Sequence, residues 1–574
     1  MSNPKAPNSA PAPFSTKANE HRSLQTVAII CVTFMMGACG MAYEYTLSKI
    51  ASDILGNSVQ QWAIVIAVML FCMGLGAEIQ RHISDKRLID IFVYSQILLA
   101  LLGGFGSLLM LHVFSAYPSH FALTQYLLIS SIGILIGFEI PLLSRINEQF
   151  STDVKSNLAR ILKMDYMGAL IGAMLWVFLL FRYFTMVQTG LILALTTLFT
   201  ALVLLISFRS QASYHARLYA GIGLVGILIG VGFTFGDDWT QTAEQRLYRD
   251  RIIFSETSKY QHIVLTESHA GVISCFINGH LQFNSHDEHI YHEHLVHPAM
   301  QIATRRDKVL ILGGGDGLAL REVLKYDDVE SVTLVDLDPM MTDLARNNVH
   351  FKRLNHGSLS STRVTATENQ AFLDTGEAKI SITKATDFDA ESTDTVATIS
   401  VLNVDASAFV AQAPGKFDVI IIDFPDPNSV ELAKLYSQHF YGFIRQKLSA
   451  DGVFVQQSTS PYHAKEAFLC IGRTLHSGGL TAVPFHDNVP SFGEWGWWIG
   501  GRDTFYSETK LKHALSDTPN LTRHTKYLTS ELTRASLHFG KNQLETDQQS
   551  VNTITNPCIY NYYLEAWKGS QSTL

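Results

Sequence analysis

One long apolar stretch follows another through the first 240 residues, and this pattern restricts the fold more than any other feature of the sequence. A helix needs roughly 20 apolar residues to cross about 30 Å of hydrocarbon. Seven stretches approach or exceed that length, short segments connect them, and glycine is frequent inside them, as expected where helices approach closely in lipid. The sequence therefore predicts an α-helical transmembrane bundle. Its spans are residues 24–47, 62–80, 90–113, 121–144, 164–183, 186–207 and 217–235.

The basic residues of this region lie in alternate connections between the spans. They share one side of the membrane with the polar tail of residues 1–22, which is predicted to be disordered. The positive-inside rule therefore places the N-terminus in the cytoplasm, and seven crossings would leave the rest of the chain outside. The basic residues of the alternate loops are Arg81, Lys86, Arg87, Arg145, Lys155, Arg160, Lys163, Arg209 and Arg217.

Charge and cysteine usage restrict the function. The formal net charge of −8 argues against a nucleic-acid partner, because a phosphate-binding surface needs a basic excess. A cationic substrate suits this charge better. The six cysteines are scattered without a C-x-x-C pair, so neither a disulfide framework nor a zinc site is indicated.

From about residue 240 the pattern becomes that of an α/β domain. Short Val- and Ile-rich runs alternate with helix-like segments, which predicts a parallel sheet wound with helices. Residues 251–284 resemble a small β-rich cap, with turns at Gly271 and at Asn278-Gly279. The predicted strands of the sheet are residues 308–312, 331–335, 399–403, 418–422 and 452–456.

The first of these strands runs into a glycine loop at residues 313–317. A glycine turn at a helix N-terminus lets the backbone approach a ligand closely, which makes Gly313 and Gly315 candidates for binding a nucleoside cofactor. The next strand ends at Asp336, about 20 positions beyond the loop, where a carboxylate can accept hydrogen bonds from ribose hydroxyls. With Asp316, these residues favour an adenosyl nucleoside over simple turn chemistry.

Two segments compete for the third strand. Residues 399–404 lead into Asp405 and Ala406, where an acid can accept a hydrogen bond from the adenine amine. Residues 363–367 lead into Glu368 in much the same pattern. The distance to the next strand favours Asp405, and residues 368–398 then form an insertion.

The fourth strand ends in two carboxylates, Asp423 and Asp426. Acids three positions apart at the edge of a buried strand are costly unless a cation or proton occupies the site, so the pair favours a diamine substrate. For Asp426 a solvent-facing position in a turn set by Pro425 and Pro427 explains the sequence equally well.

At these residues the sequence resembles the polyamine aminopropyltransferase family, of which spermidine synthase is the best-known member. The resemblance covers residues 251–500 and extends to the branch that carries a multi-span N-terminal domain. Asp336 stands where the family usually has Glu. The matching segments are Tyr260-Gln261, Asp287-Glu288, Tyr291-His292-Glu293, residues 313–317, 335–338, 423–428, 434–437, 452–457 and 490–496.

The resemblance implies that putrescine, or a similar polyamine, attacks the aminopropyl group of decarboxylated S-adenosylmethionine as co-substrate. Spermidine and 5′-methylthioadenosine are released, with no metal or prosthetic group. It makes Asp423 the proton acceptor and Tyr291 its neighbour. The implied nucleoside-binding residues are Gln261, Gly313, Gly315, Asp336, Asp405 and Ala406, and the implied polyamine-binding residues are His292, Asp316, Asp426 and Gln457.

The expected fold is thus a transmembrane helical bundle followed by a Rossmann-like, class I methyltransferase-like α/β domain with a small N-terminal β cap. The resemblance also suggests a homo-oligomer. Because its substrates are cytoplasmic, we expect the catalytic domain on the inner face of the cell membrane. The number of spans, combined with the positive-inside rule, instead predicts that this domain lies outside. The predicted segments are a tail (1–22), a transmembrane domain (23–236), a cap (240–300), an aminopropyltransferase domain (301–505) and a C-terminal extension (506–574).

Two other functions stay open. A methyltransferase using ordinary S-adenosylmethionine shares the sheet and glycine loop, although the acid pair and Tyr291-His292 argue against it. The second is a transporter or sensor that binds polyamine without turnover. Glu44 and Glu139 suggest it, because ionisable residues within membrane spans are often functional. Helix packing by a protonated or paired carboxyl group is the simpler explanation of both glutamates.

Overall fold

The computed structural model describes residues 16–55, 58–148, 154–360, 364–366, 397–517, 521 and 525–571. The chain divides into two compact units, Met1–Arg249 and Asp250–Leu574. The first unit is helical, and the second combines sheet and helix.

In the described part of the first unit, seven helical segments are long and apolar enough to cross a membrane. Each coincides with an apolar stretch predicted from the sequence. A π-helical turn at Trp176–Leu180 joins α5 to α6, so these two form one segment. The helices are α1 (Thr16–Leu55), α2 (Ser58–Ile79), α3 (Leu88–Ala116), α4 (Phe121–Glu148), α5 (Val154–Leu175), α6 (Phe181–Tyr183), α7 (Met186–Ser207) and α8 (His215–Gln245).

Glycines allow pairs of these helices to touch through their backbones. A β-carbon on Gly168 of α5 would lie 2.0 Å from the carbonyl oxygen of Phe34 in α1. One on Gly137 of α4 would lie 2.2 Å from the carbonyl oxygen of Met73 in α2. No side chain fits at either position, so the predicted close approach of helices at glycine is confirmed.

The glutamate in α4 has a partner within the bundle. Glu139 accepts a hydrogen bond of 2.9 Å from Nε2 of Gln96 in α3, and both side chains are buried. This pairing favours the helix-packing explanation of Glu139. Glu44 is also buried.

The second unit begins with a four-stranded antiparallel sheet in the order β1-β2-β3-β4. Gly271 turns the chain between β2 and β3 with a φ of 74°. Asn278 and Gly279 connect β3 to β4 with φ values of 51° and 81°, the left-handed pair that a tight hairpin needs. Both predicted turns are confirmed. The strands are β1 (Arg251–Thr257), β2 (His262–Glu267), β3 (Ile273–Ile277) and β4 (His280–Asn284).

An eight-stranded sheet follows, in the order β11-β12-β10-β9-β5-β6-β8-β7. Strands β5 to β10 pair in parallel, and β12 pairs antiparallel with both β10 and β11. The five predicted strands correspond to β5, β6, β8, β9 and β10. The strands are β5 (Lys308–Gly313), β6 (Ser331–Asp336), β7 (Val364–Ala366), β8 (Thr398–Asn403), β9 (Phe417–Asp423), β10 (Leu448–Gln457), β11 (Leu480–Val489) and β12 (Gly493–Arg502).

Helices cover both faces of this sheet. The prediction of a β-rich cap over 240–300 is wrong at both ends, because residues 240–245 belong to α8 and residues 288–300 belong to α9. Asp287 precedes α9 as its N-cap. The helices are α9 (Glu288–Ile302), α10 (Leu318–Val323), α11 (Pro339–Asn347), α12 (Val349–Leu354), α13 (Ala406–Gln412), α14 (Val430–Ala433), α15 (Gln438–Lys447), α16 (Lys465–Ser477), α17 (Glu508–Ser516), α18 (Ser530–Ala535) and α19 (Cys558–Gln571).

The segment beyond residue 505 belongs to the core of this unit. Leu511 and Leu515 of α17 are buried in the hydrophobic cluster on one face of the sheet. Ile559 and Tyr563 of α19 are buried in the cluster on the other face. The polar composition of this segment does not indicate that its residues are part of the core.

Candidate active site

The glycine loop between β5 and α10 is shaped by backbone conformations that favour glycine. Gly313, Gly314 and Gly317 have φ values of 83°, 66° and 78°. A β-carbon on Gly313 would lie 2.1 Å from the carbonyl oxygen of Asp423, because β5 and β9 run side by side there. The glycines of the loop thus leave backbone free of side chains at the carboxyl edge of the sheet, where α/β folds bind ligands.

Asp336 ends β6 directly beside this loop. Its Oδ2 accepts a hydrogen bond of 3.0 Å from the backbone N–H of Gly315, and its Oδ1 accepts one of 2.8 Å from that of Asp338. Burial raises the pKa of Asp336 to about 7, against the effect of both hydrogen bonds. A ribose hydroxyl that donates to this carboxylate would replace lost water contacts and favour its charged form.

The turn that carries Gln261 is tied to the same edge. Ser258 donates a hydrogen bond of 2.7 Å to Oδ2 of Asp338, and the backbone N–H of Gln261 donates one of 3.0 Å to Oγ of Ser258. Asp338 is itself the N-cap of α11. These hydrogen bonds hold the turn that carries Gln261 at Asp338, two residues beyond the end of β6.

Asp405 follows β8, the strand next to β6, which is the position expected of the third strand. Its Oδ1 caps α13 by accepting from the N–H of Ala408 at 2.9 Å, and its Oδ2 pairs with Nζ of Lys434 at 2.9 Å. Ala406 is buried behind it. No sequence pattern indicates this ion pair. Glu368, the competing residue, lies outside the described residues.

A short hydrogen bond joins Tyr291 and Asp423 at this edge. The Tyr291 hydroxyl donates a hydrogen bond of 2.6 Å to Oδ1 of Asp423, the last residue of β9. The other carboxylate oxygen faces the glycine loop, since Oδ2 lies 3.3 Å from where a β-carbon of Gly314 would be. Burial raises the pKa of Asp423 to about 6, with the nearby charge of His292 opposing and that of Asp316 adding to the shift.

His292 is buried next to Tyr291, and Glu288 on the same helix determines which of its ring nitrogens is protonated. Its Nδ1 lies 2.7 Å from the carbonyl oxygen and 3.0 Å from Oε2 of Glu288, both of which are acceptors, so Nδ1 carries the hydrogen. Burial lowers the pKa of His292, but Glu288, Asp316 and Asp423 outweigh it and raise the pKa to about 9. The charges of Asp316 and Asp423 therefore both act on this imidazolium.

A buried ionic network supports this histidine. Arg321 of α10 binds both carboxylate oxygens of Glu288, at 2.8 and 2.9 Å. The same guanidinium contacts Oε1 of Glu322 at 2.7 Å, and Glu322 lies 2.8 Å from Nε2 of His297. Burial raises the pKa of Glu288, but hydrogen bonds from His292 and Arg321 prevail and lower it to about 2.

Asp426 lies beyond Asp423 on the loop that leaves β9. Thr459 donates to its Oδ2 at 3.1 Å, and Nε2 of Gln457 lies 3.4 Å from its Oδ1. Burial raises the pKa of Asp426 to about 6, and these donors limit the rise. No sequence pattern indicates Thr459, because this residue belongs to no recognisable motif.

Aromatic side chains line one side of this edge. The ring of Phe492, at the tip of the β11–β12 hairpin, lies 5.9 Å from that of Tyr291 and 5.0 Å from that of Trp495. The hairpin is fastened by Asp287, whose Oδ2 accepts from the N–H of Ser491 at 2.6 Å. Phe492 and Trp495 therefore form an apolar surface beside Tyr291, the hydrogen-bond partner of Asp423.

The structure thus gathers the predicted residues into two neighbouring groups. Gln261, the glycine loop and Asp336 surround one part of the edge. Tyr291, His292, Asp316, Asp423, Asp426 and Gln457 surround the next. The fold and the glycine loop define a Rossmann-like α/β domain.

Comparisons with known proteins refine this class. Residues 288–397 and 384–510 match the Spermine/spermidine synthase domain. The "Polyamine aminopropyltransferase" of Oceanobacillus iheyensis is 35% identical over 555 residues, which cover 96% of this chain and 99% of that protein. "Polyamine aminopropyltransferase 1" of Streptomyces coelicolor is 34% identical, covering 97% of this chain and 98% of that protein. The crystal structure of spermidine synthase from Thermotoga maritima is similar with a TM-score of 0.40 and 24% identity, covering 51% of this chain and 87% of that one.

The chain belongs to the polyamine aminopropyltransferase family, a family of transferases. Because the full-length matches span the helical unit as well as the α/β unit, the two units occur together in these relatives.

Proposed function

We propose that this protein transfers the aminopropyl group of decarboxylated S-adenosylmethionine to putrescine, giving spermidine and 5′-methylthioadenosine. The observation that carries the proposal is the position of Asp423. Its Oδ1 is held by Tyr291 at 2.6 Å, and its Oδ2 faces the glycine loop. A carboxylate so placed lies between a nucleoside-binding backbone and a group of acids suited to a diamine. The names of the full-length relatives support the same reaction.

The reaction needs a neutral amine nitrogen. An ammonium group of putrescine gives one proton to Asp423, and the freed lone pair attacks the methylene carbon bonded to the sulfonium. The carbon–sulfur bond breaks with both electrons going to sulfur, which leaves neutral 5′-methylthioadenosine and a secondary ammonium. Asp423 is suited to accept this proton, because with a pKa of about 6 it is charged at neutral pH and still basic enough.

The two substrates would occupy the two groups of residues. Gly313, Gly315, Asp336 and Gln261, with Asp405 and Ala406 for the adenine, would hold the nucleoside. The polyamine would be held by His292, Asp316, Asp426 and Gln457, with Phe492 against its methylene chain. Charged His292 would keep neighbouring Asp423 ionised until the amine arrives, since it lowers the pKa of that carboxyl.

Product analysis tests this function. The purified full chain is given putrescine with either decarboxylated or ordinary S-adenosylmethionine, and the products are separated by mass. We expect spermidine and methylthioadenosine from the decarboxylated donor only. S-adenosylhomocysteine from the ordinary donor would instead identify a methyltransferase, and saturable putrescine binding without any product would identify a sensor or transporter.

Variants test the assignment of the base. Asp423→Asn removes the proton acceptor while keeping the shape, and we expect a loss of about 10²–10⁴-fold in kcat. Asp503→Asn, on the surface next to Arg445, is the matched control and should retain activity. Undiminished turnover by Asp423→Asn would refute the assignment.

We further propose that the helical unit resides in the cell membrane as seven spans and that the α/β unit faces the cytoplasm. The length and apolar composition of the seven helices support residence in the membrane. The cytoplasmic origin of the nucleoside donor supports the orientation, against the distribution of basic loop residues. A fluorescent protein fused to the C-terminus, which matures only in the cytoplasm, tests it: a dark fusion with an active alkaline phosphatase counterpart would reverse the orientation.

A further inference from the structure

One residue beside the proposed polyamine site has a backbone conformation that its side chain disfavours. Thr459 has a φ of 59°, in the left-handed region, and it is completely buried. A β-branched residue rarely adopts this conformation, because its side chain then crowds the backbone. Such strain persists only where the surrounding structure imposes it, and it is frequent at functional sites. The contacts of Thr459 should therefore explain why the strain is retained.

Two backbone hydrogen bonds to strand β12 hold Thr459 in place. Its carbonyl oxygen accepts from the N–H of Gly496 at 2.9 Å, and the N–H of the preceding residue, Ser458, donates to the carbonyl oxygen of Gly496 at 2.9 Å. Both bonds join main-chain groups, so neither depends on a bound substrate. The sheet thus determines the conformation of this segment.

This conformation directs two groups of Thr459 to partners in the site. Its N–H donates to Oε1 of Gln457 at 3.1 Å, and its hydroxyl donates to Oδ2 of Asp426 at 3.1 Å. Nε2 of Gln457 lies 3.4 Å from Oδ1 of the same carboxylate. The three residues form a closed ring of hydrogen bonds, in which each oxygen of Asp426 has a different donor.

The ring restricts the orientation of Asp426. The hydroxyl of Thr459 makes the shorter of the two contacts with the carboxylate, 3.1 Å against 3.4 Å for Gln457. Asp426 itself is half-buried, so part of it stays open to a ligand. A carboxylate that accepts several hydrogen bonds keeps its charge more readily and turns less freely, and both properties improve its attraction for an ammonium group.

We infer that Thr459 is a positioning residue for the acceptor amine: its hydroxyl holds Asp426 in the orientation that binds the ammonium group distant from the reacting one. The inference rests on the proposed function. It assigns a use to the strained backbone, which brings the hydroxyl to the carboxylate. It also separates the two ends of the diamine, since Asp423 and Tyr291 act on the reacting nitrogen and Asp426 with Thr459 on the other.

Steady-state kinetics of Thr459→Val test this role, because valine keeps the branched shape and removes only the hydroxyl. We expect KM for putrescine to rise about tenfold, as for loss of a hydrogen bond to a charged group, with kcat and KM for the donor changed less than twofold. Thr459→Ser restores a hydroxyl at the same position and should return KM for putrescine to within about threefold of the wild-type value.

Thr533→Val is the matched control. Thr533 is also buried, and its hydroxyl donates to a backbone carbonyl oxygen, that of Thr529, at 3.0 Å. This variant should keep the wild-type KM for both substrates. An unchanged KM for putrescine in Thr459→Val, or equal rises in the KM of donor and acceptor, would overturn the inference.

A double-variant cycle shows whether Thr459 acts through Asp426. Asp426→Ala with Thr459→Val should raise KM for putrescine no more than Asp426→Ala alone, because the hydroxyl then has no carboxylate to hold. A further rise in the double variant would mean that Thr459 has a separate role, which contradicts the inference.

Two further measurements separate this inference from other failures. If Thr459→Val does not fold, Thr459→Gly removes the hydroxyl from a residue that adopts a positive φ without strain. An unchanged KM for putrescine in that variant overturns the inference equally. Wild-type protein that makes no spermidine overturns the proposed function instead, and this is seen before any variant is compared.

Discussion

Tyr291 and Asp423 lie 132 positions apart in the sequence and meet through a hydrogen bond of 2.6 Å. Helix α9 supplies the phenol and strand β9 supplies the carboxylate. The bond occupies Oδ1, so Oδ2 is the oxygen that faces the glycine loop. A single contact between two distant parts of the sequence thus decides which lone pairs of the proposed base meet the substrate.

Removal of this phenol should therefore reduce catalysis. For Tyr291→Phe we expect kcat to fall about 10- to 100-fold, the cost of losing a hydrogen bond to a charged group, with KM for the donor unchanged. Tyr506→Phe is the control, because its hydroxyl donates to the carbonyl oxygen of Asp451 at 2.8 Å, away from the site. Equal kcat in the two variants would contradict the role given to Tyr291.

Activity should fall in mild acid. Burial raises the pKa of both Asp423 and Asp426 to about 6. Below that pH each is protonated, so Asp423 cannot accept a proton and Asp426 cannot attract an ammonium group. We expect kcat/KM for putrescine to decline as pH falls through about 6, with a log–log slope between one and two. Samples returned to pH 8 control for unfolding, and a flat profile down to pH 5 would disprove the expectation.

The glycine loop predicts a selective effect on the donor. A β-carbon on Gly315 would lie 2.6 Å from the carboxylate of Asp336, which would have to move. For Gly315→Ala we expect KM for the donor to rise about tenfold or more, while KM for putrescine changes less than twofold. Gly442→Ala in α15, where nothing lies within 4 Å, should leave both constants alone. A greater effect on putrescine than on the donor would refute this division of the site.

The buried ionic network predicts an effect on stability. Glu288→Gln weakens the contacts with Arg321 and leaves that cation incompletely paired, so the free energy of unfolding in urea should fall by about 3–5 kcal/mol. Glu508→Gln, which affects an exposed pair with Lys512, should cost less than about 1 kcal/mol.

The pH dependence of this difference is a second check. The folded-state pKa of Glu288 is lowered from 4.5 to about 2, so its stabilisation is complete above 4.5 and is lost as pH falls toward 2. The gap between wild type and Glu288→Gln should therefore narrow in that interval. A gap that is constant with pH would mean that the carboxylate charge is not responsible.

Much of the sheet could be predicted because its central strands are buried on both faces. Such strands appear in the sequence as continuous Val- and Ile-rich runs, as in β5 and β9. The carboxyl ends of parallel strands meet at one edge, so the sequence alone predicts that residues ending these runs, such as Asp336 and Asp423, lie near one another.

The parts that escaped prediction have physical reasons. Strand β12 contains glycines where neighbouring backbones crowd it: a β-carbon on Gly500 would lie 1.9 Å from the carbonyl oxygen of Thr481, so the usual β-branched pattern is missing. Thr459 reaches Asp426 through tertiary packing of two distant segments, and no local periodicity encodes such a contact. Helix α9 escapes prediction because its polar residues, which in a sequence usually indicate an exposed face, are buried by specific partners.

Three consecutive residues of α9 each make a specific polar contact. Tyr291 holds Asp423, and His292 holds Glu288; the next residue, Glu293, accepts hydrogen bonds from the backbone N–H groups of residues 526–528 at 2.6, 2.9 and 2.8 Å. Consecutive side chains on one helical turn cannot move independently. A disturbance in the 526–528 loop, from proteolysis, a tag or a binding partner, would therefore rotate α9 slightly and shift Tyr291 relative to Asp423.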